Sequence, residues 1–202
     1  MRAWWCVMVF AIVGVAAAAA PAHAQGYGPG YSAGPPPPRG VVRSGFIAGL
    51  GIGAGAFGLS DCEGCDSTAG LALHGHLGGM LARNLALMFD LEAVTGPIDE
   101  DTDAVITQTT AMAVLRVWLG QIFYLQGGVG AAWLRVSTDI GGFVFESRAG
   151  GSGMLGLGIE LMQRPSFTID ISLRLIGTRF DNDELGEVNI AGGTLLVGFN
   201  WY

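Results

Sequence analysis

The chain has 202 residues, ten basic (all Arg) against 17 acidic, a formal net charge of −7 and a mean hydropathy of +0.47. The acidic excess is a poor match for nucleic acid, and half of the residues are apolar, high for a secreted soluble protein. Past the N-terminal segment no apolar run approaches the roughly 20 residues of a membrane-spanning helix. A closed β-barrel remains as the way for so apolar a chain to cross a bilayer.

Residues 1–24 read as a secretory signal: Arg2 gives the positive start, "VMVFAIVGVAAAAA" the apolar stretch, and "AHA" a cleavage site ending at Ala24. Cys6 lies inside this segment without a lipoprotein-type site, so no lipid anchor is expected. Residues 25–44 open with "QGYGPGYSAGPPPPRG", whose four consecutive prolines favour an extended polyproline segment flanked by flexible glycines. We read a tether there, with a partner-binding proline motif as the alternative. Residues 45–202 form the barrel domain.

The first element contains "GAGAFG", Gly53 to Gly58, which spells the G-x-G-x-x-G of a dinucleotide loop. Such a loop needs a helix after its glycines, and "LSDCEGCD" follows instead. From Phe46 to Ala56 apolar residues occupy the even positions and mostly glycine the odd ones, which is the period of a strand. The glycines therefore belong to one face of a strand, not to a nucleotide site.

The alternation recurs. Leu71, Leu73, Leu77 and Leu81 oppose Ala72, His74, His76 and Met80; Leu85, Leu87, Phe89 and Leu91 oppose Ala86, Met88, Asp90 and Glu92. Ala111, Ala113, Leu115, Val117 and Leu119 oppose Thr110, Met112, Val114, Arg116 and Trp118. Further strands read at about 122–137, 147–163, 167–179 and 189–202, in the seventh of which Ile169, Ile171, Leu173 and Leu175 oppose Asp170 and Arg174. That makes eight, each long enough to cross a bilayer at a tilt.

Connections after the second, fourth and sixth strands are tight ("RN" at Arg83–Asn84, "GQ" at Gly120–Gln121, "RPS" at Arg164–Ser166). The other four are longer and hold most of the acidic residues: "DCEGCD", "PIDEDTD", "TDIGGFVFE" and "DNDELGE". Short periplasmic turns and long outer loops are the layout of outer-membrane barrels. A soluble eight-stranded barrel would put its greasy face inward, but the opposite face here is too poor in polar groups for a solvated exterior. The expected fold is thus all-β: an eight-stranded antiparallel up-and-down transmembrane β-barrel.

The inward set contains His74, His76, Asp90, Glu92, Gln108, Arg116, Gln126, Glu160, Asp170 and Arg174. Charges inside a membrane protein are costly unless paired. Glu92 and Arg116 on neighbouring strands, and Asp170 and Arg174 on one strand face, are the pairs this pattern suggests. A lumen network that plugs the barrel is expected, with a narrow polar path for ions or small solutes as the alternative. "HGH" sets two imidazoles on one face, near Asp90 or Glu92, but the sequence fixes no third metal ligand, so no metal or cofactor is assigned. Cys62 and Cys65 in "CEGC" read as a disulfide stapling the first outer loop, with a metal-gripping loop formed with Asp61, Glu63 and Asp66 as the alternative. No His–Ser–acid cluster faces outward, and no catalytic residue is assigned. The acidic loops, above all Asp99, Glu100, Asp101 and Asp103, are expected to be solvated charge. They could also bridge through divalent cations to lipopolysaccharide.

Through "FIAGLGIGAG", "LGGMLARNLALMFDLEAV", "LQGGVGAAWLR" and "LLVGFNWY" the chain resembles the small outer-membrane barrels of the OmpA transmembrane-domain, OmpX, OmpW and opacity-protein kind. The resemblance covers about 41–202 and implies bacterial outer-membrane localisation, outer-membrane lipids and lipopolysaccharide as surroundings, and insertion by the barrel assembly machinery. It also implies a C-terminal assembly signal, here Phe199, Trp201 and Tyr202, with Tyr202 one residue beyond the lipid-facing series Leu195, Val197, Phe199 and Trp201. A monomer with an envelope structural role and loops for adhesion or ligand contact is expected; the alternative is a small-solute or hydrophobic-compound pore of the OmpW type.

Overall fold

The computed structural model describes residues 43–59, 67–99, 102–138, 143–146, 149–182 and 186–202. Cys62 and Cys65, the signal segment and most of the tether lie outside them. Among the described residues nine strands follow one another: β1 Phe46–Leu59, β2 Thr68–Ala82, β3 Leu85–Asp99, β4 Thr102–Leu119, β5 Phe123–Thr138, the short β6 Phe143–Glu146, β7 Gly150–Gln163, β8 Phe167–Asn182 and β9 Gly186–Trp201. All pairings are antiparallel. β6 sits on the outer stretch of β5, and the other eight close into a barrel because β1 pairs with both β2 and β9.

The two faces separate as a period of two requires. In β1, Phe46 and Ile52 are each 52% exposed, whereas Ile47 and Phe57 are buried. Leu155 and Val129, 72% and 71% exposed, belong to an apolar exterior that continues through Leu125, Leu175, Leu195 and Trp201. So continuous an exposed apolar wall suits hydrocarbon, not water. Among the described residues no helix is long and apolar enough to cross a membrane; the strands do it.

At one end the hairpins are tight. Gly120 takes a positive φ of 81° to make the β4–β5 turn, a conformation that glycine adopts without steric cost. Register shifts at Met80/Ala82 and Glu160/Met162 lie next to the tight turns, where bulges commonly end pairing. At the other end the strands run further than the acidic composition suggests. β3 continues to Asp99 and β4 begins at Thr102, so within "PIDEDTD" Pro97 pairs with Val105 and Asp99 with Thr102, while Glu100 and Asp101 lie outside the described residues; β8 and β9 likewise pair Asp181 with Glu187. "TDIGGFVFE" contains β6, paired with Arg135–Ser137.

Candidate functional site

The lumen is the candidate site, and side chains of the described residues occupy most of it. Its glycines make this fit. A side chain at Gly49 would run into the His76 ring, one at Gly158 into Tyr124, and one at Gly198 into the Asp170 carboxylate. Gly55, from the "GAGAFG" motif, leaves room for Thr194 and Val94, which a Cβ there would meet at 2.8 and 2.9 Å. An eight-stranded barrel is just wide enough for side chains to fill it, and here large residues on one strand occupy space that glycine vacates on another.

Near the tight-turn end, Glu160 is the hub. It accepts from Trp118 Nε1 (2.7 Å), Tyr202 Oη (2.9 Å), Gln163 Nε2 (2.8 Å) and Arg43 Nη2 (2.5 Å). Arg43, from the segment expected to be tether, also donates to Gln121 O at 2.7 Å and lies 4.8 Å over the Trp118 ring.

The middle layer carries the remaining charge. Arg174 Nη1 donates to Asp90 Oδ1 (3.1 Å) and Glu92 Oε2 (2.9 Å), and its Nη2 lies 2.9 Å from His74 Nε2. His74 Nε2 is 2.8 Å from Asp90 Oδ2. Arg116 donates to Gln126 Oε1 (3.2 Å) and Asn200 Oδ1 (3.1 Å) and stacks 4.3 Å over Tyr124. Tyr124 and Asn200 both donate to Asp170 Oδ2, at 2.7 and 3.0 Å, and so link Arg116 to that carboxylate. Among these groups lies a cavity of about 10 Å³, room for about one water.

Toward the long-loop end the lumen turns apolar. Phe57, Val94, Phe180, Ile190 and Leu196 pack with Ala72 and Ala132. A second apolar group of Met88, Met112, Val114 and Met154 lines another part of the interior with Trp118 and Tyr124.

The structure buries all ten inward-set residues but pairs them differently from the suggestion of strand adjacency. Glu92 and Asp90 share Arg174 from across the lumen, and Arg116 takes neutral partners. Register tells which residues are wall neighbours; a guanidinium on a long stem reaches past them to the opposite wall. Asn200, Tyr124 and Arg43 were not singled out from the sequence, although Asn200 and Tyr124 share the lumen parity of their strands. Ligand atoms of His74, His76 and Asp90, one from each, lie within 4.8 Å of one another. At the C-terminus Phe199 and Trp201 are 42% and 44% exposed on the outside, while Tyr202 turns in toward Glu160.

An apolar outer wall, an interior that holds the buried charges and closure of β1 onto β9 define a transmembrane β-barrel. The chain belongs to the family described as outer membrane protein beta-barrel domain, which it matches over residues 9–202. The barrel is similar to that of Neisserial surface protein A (NspA), with 18% identity and a TM-score of 0.58 over 78% of this chain and 97% of that one. It is also similar to Ail, the attachment invasion locus protein of Yersinia pestis, solved in complex with the heparin analogue sucrose octasulfate, with 15% identity and a TM-score of 0.50 over 79% and 98%. No curated protein sequence matches the chain. The protein is a bacterial outer-membrane barrel.

Proposed function

We propose that the protein is a non-enzymatic, monomeric structural barrel of the outer membrane whose acidic outer loops serve contact with a ligand or surface. The supporting observation is the packed lumen: the Arg174–Asp90–Glu92 layer occupies its middle and the Phe57–Phe180–Ile190 cluster its loop side. A barrel occupied in this way has its working surface outside its lumen, at the loops. In the same reading residues 1–24 are removed on export, the segment after them tethers the domain, and lipopolysaccharide, bridged by divalent cations, surrounds the acidic rim. The assembly machinery would read the C-terminal Phe199, Trp201 and Tyr202.

Planar-bilayer conductance of the refolded protein tests this, with Arg174→Ala and Phe57→Ala made together as the comparison. Silence in the wild type with leakage in the double variant is the expected result. Steady conductance in the wild type overturns the structural reading and makes the protein a pore.

A further inference from the structure

Several buried polar atoms of the lumen have no partner among the described residues, and His76 stands out because both of its ring nitrogens are among them. It is 6% exposed, yet neither ring nitrogen has a hydrogen-bond partner among the described residues. Burying an imidazole without bonds costs free energy, and nothing on the wall forces it, because the facing position is Gly49. Its ring centroid is 5.1 Å from that of His74. On the other side, register places Asp90 directly opposite His76, and the ligand atoms of all three residues cluster within 4.8 Å.

We propose that His74, His76 and Asp90 form an enclosed site for one divalent transition-metal ion of the zinc class. Two imidazoles and a carboxylate are a donor set that suits Zn²⁺ and its neighbours, with a water from the adjacent cavity as the fourth ligand. The β-strand supplies the geometry: residues two apart share a face, so "HGH" aims both rings inward, and β3 brings the carboxylate that the sequence could not fix. The objection is that His74 Nε2 already lies 2.8 Å from Asp90 Oδ2 and 2.9 Å from Arg174 Nη2, contacts that a metal must displace. The charge around the site answers it. Three buried carboxylates, Asp90, Glu92 and Asp170, face two buried guanidiniums, Arg116 and Arg174. With both imidazoles neutral the layer carries an excess negative charge, and Glu92 Oε1 has no partner either. A cation offsets that excess. Because apolar side chains close the lumen toward the loops, the ion enters while the barrel folds.

The test refolds the full chain into detergent micelles with Co²⁺ present, in a Cys6→Ser, Cys62→Ser, Cys65→Ser background that removes competing thiols. Loosely held metal is then stripped on a chelating resin. The parent should retain about one Co²⁺ per chain with the visible absorption of a low-coordinate site. His76→Leu should retain at least about tenfold less while still migrating as a folded barrel on unheated gels. Should His76→Leu fail to fold, His76→Gln takes its place. A parent that retains no Co²⁺, or a folded His76 variant that retains as much as the parent, overturns the site and leaves His76 bonded to a buried water.

Discussion

The middle and the loop-side parts of the lumen block the same path by opposite chemistry. In the middle, two guanidiniums hold carboxylates and amides through directed bonds of 2.9–3.2 Å. Toward the loops, Phe57, Val94, Phe180 and Ile190 fill space with no directed bond among their side chains. The difference is one of tolerance. A charge network fails when one member is lost, since its partner stays buried and unpaired, whereas an apolar cluster accepts another shape of similar volume.

Arg174→Met is the most severe way to expose this asymmetry. It strands Glu92 and leaves Asp90 with His74 alone, and urea unfolding in micelles should show a loss of about 3–5 kcal/mol; a loss under 1 kcal/mol would mean that Glu92 is not held by Arg174. The outer wall gives a reference for charge placed on the wrong face. Leu155→Arg, at a position 72% exposed to lipid, should cost about 2–4 kcal/mol if it lies near the midplane, measured as the shift in folding free energy in lipid vesicles. Gly158→Ala tests the packing between glycine and ring. Its methyl meets Tyr124, so a loss of about 1–3 kcal/mol is expected, and it should largely vanish when Tyr124→Leu is made in the same chain. The smallest effect belongs to the apolar cluster: Phe57→Leu should cost less than about 1.5 kcal/mol and leave conductance unchanged.

Strand number, facing and the tight hairpins were legible because each follows from local periodicity. Leu87 and Phe89 against Met88 and Asp90 decide which way β3 faces without reference to anything distant. The extent of the strands at the loop end was not, since acidic residues such as those of "PIDEDTD" suit a water-exposed strand and a loop equally. Nor were the partners of the charges. Arg174 reaches Asp90 and Glu92 because the barrel is narrow and because Gly156, beside its stem, bears no side chain. That is a property of the closed object and not of any one strand. The apolar loop-side cluster could have been read from parity alone, as Phe57 falls on the same face as Gly49 and Gly51. Arg43 could not, because nothing local distinguishes it from the tether it follows.

The pairing of β1 with β9 joins Ala48 to Trp201, almost the two ends of the domain. Every other wall contact forms between strands that are neighbours in the chain or separated only by β6, so a growing sheet can zip hairpin by hairpin at small entropic cost. The closing seam cannot begin until the last strand exists. Until then the sheet has two bare edges, each a template for pairing with another chain. Time spent in that open state, more than the strength of any contact in the finished barrel, sets how vulnerable the protein is to aggregation on its way to the membrane.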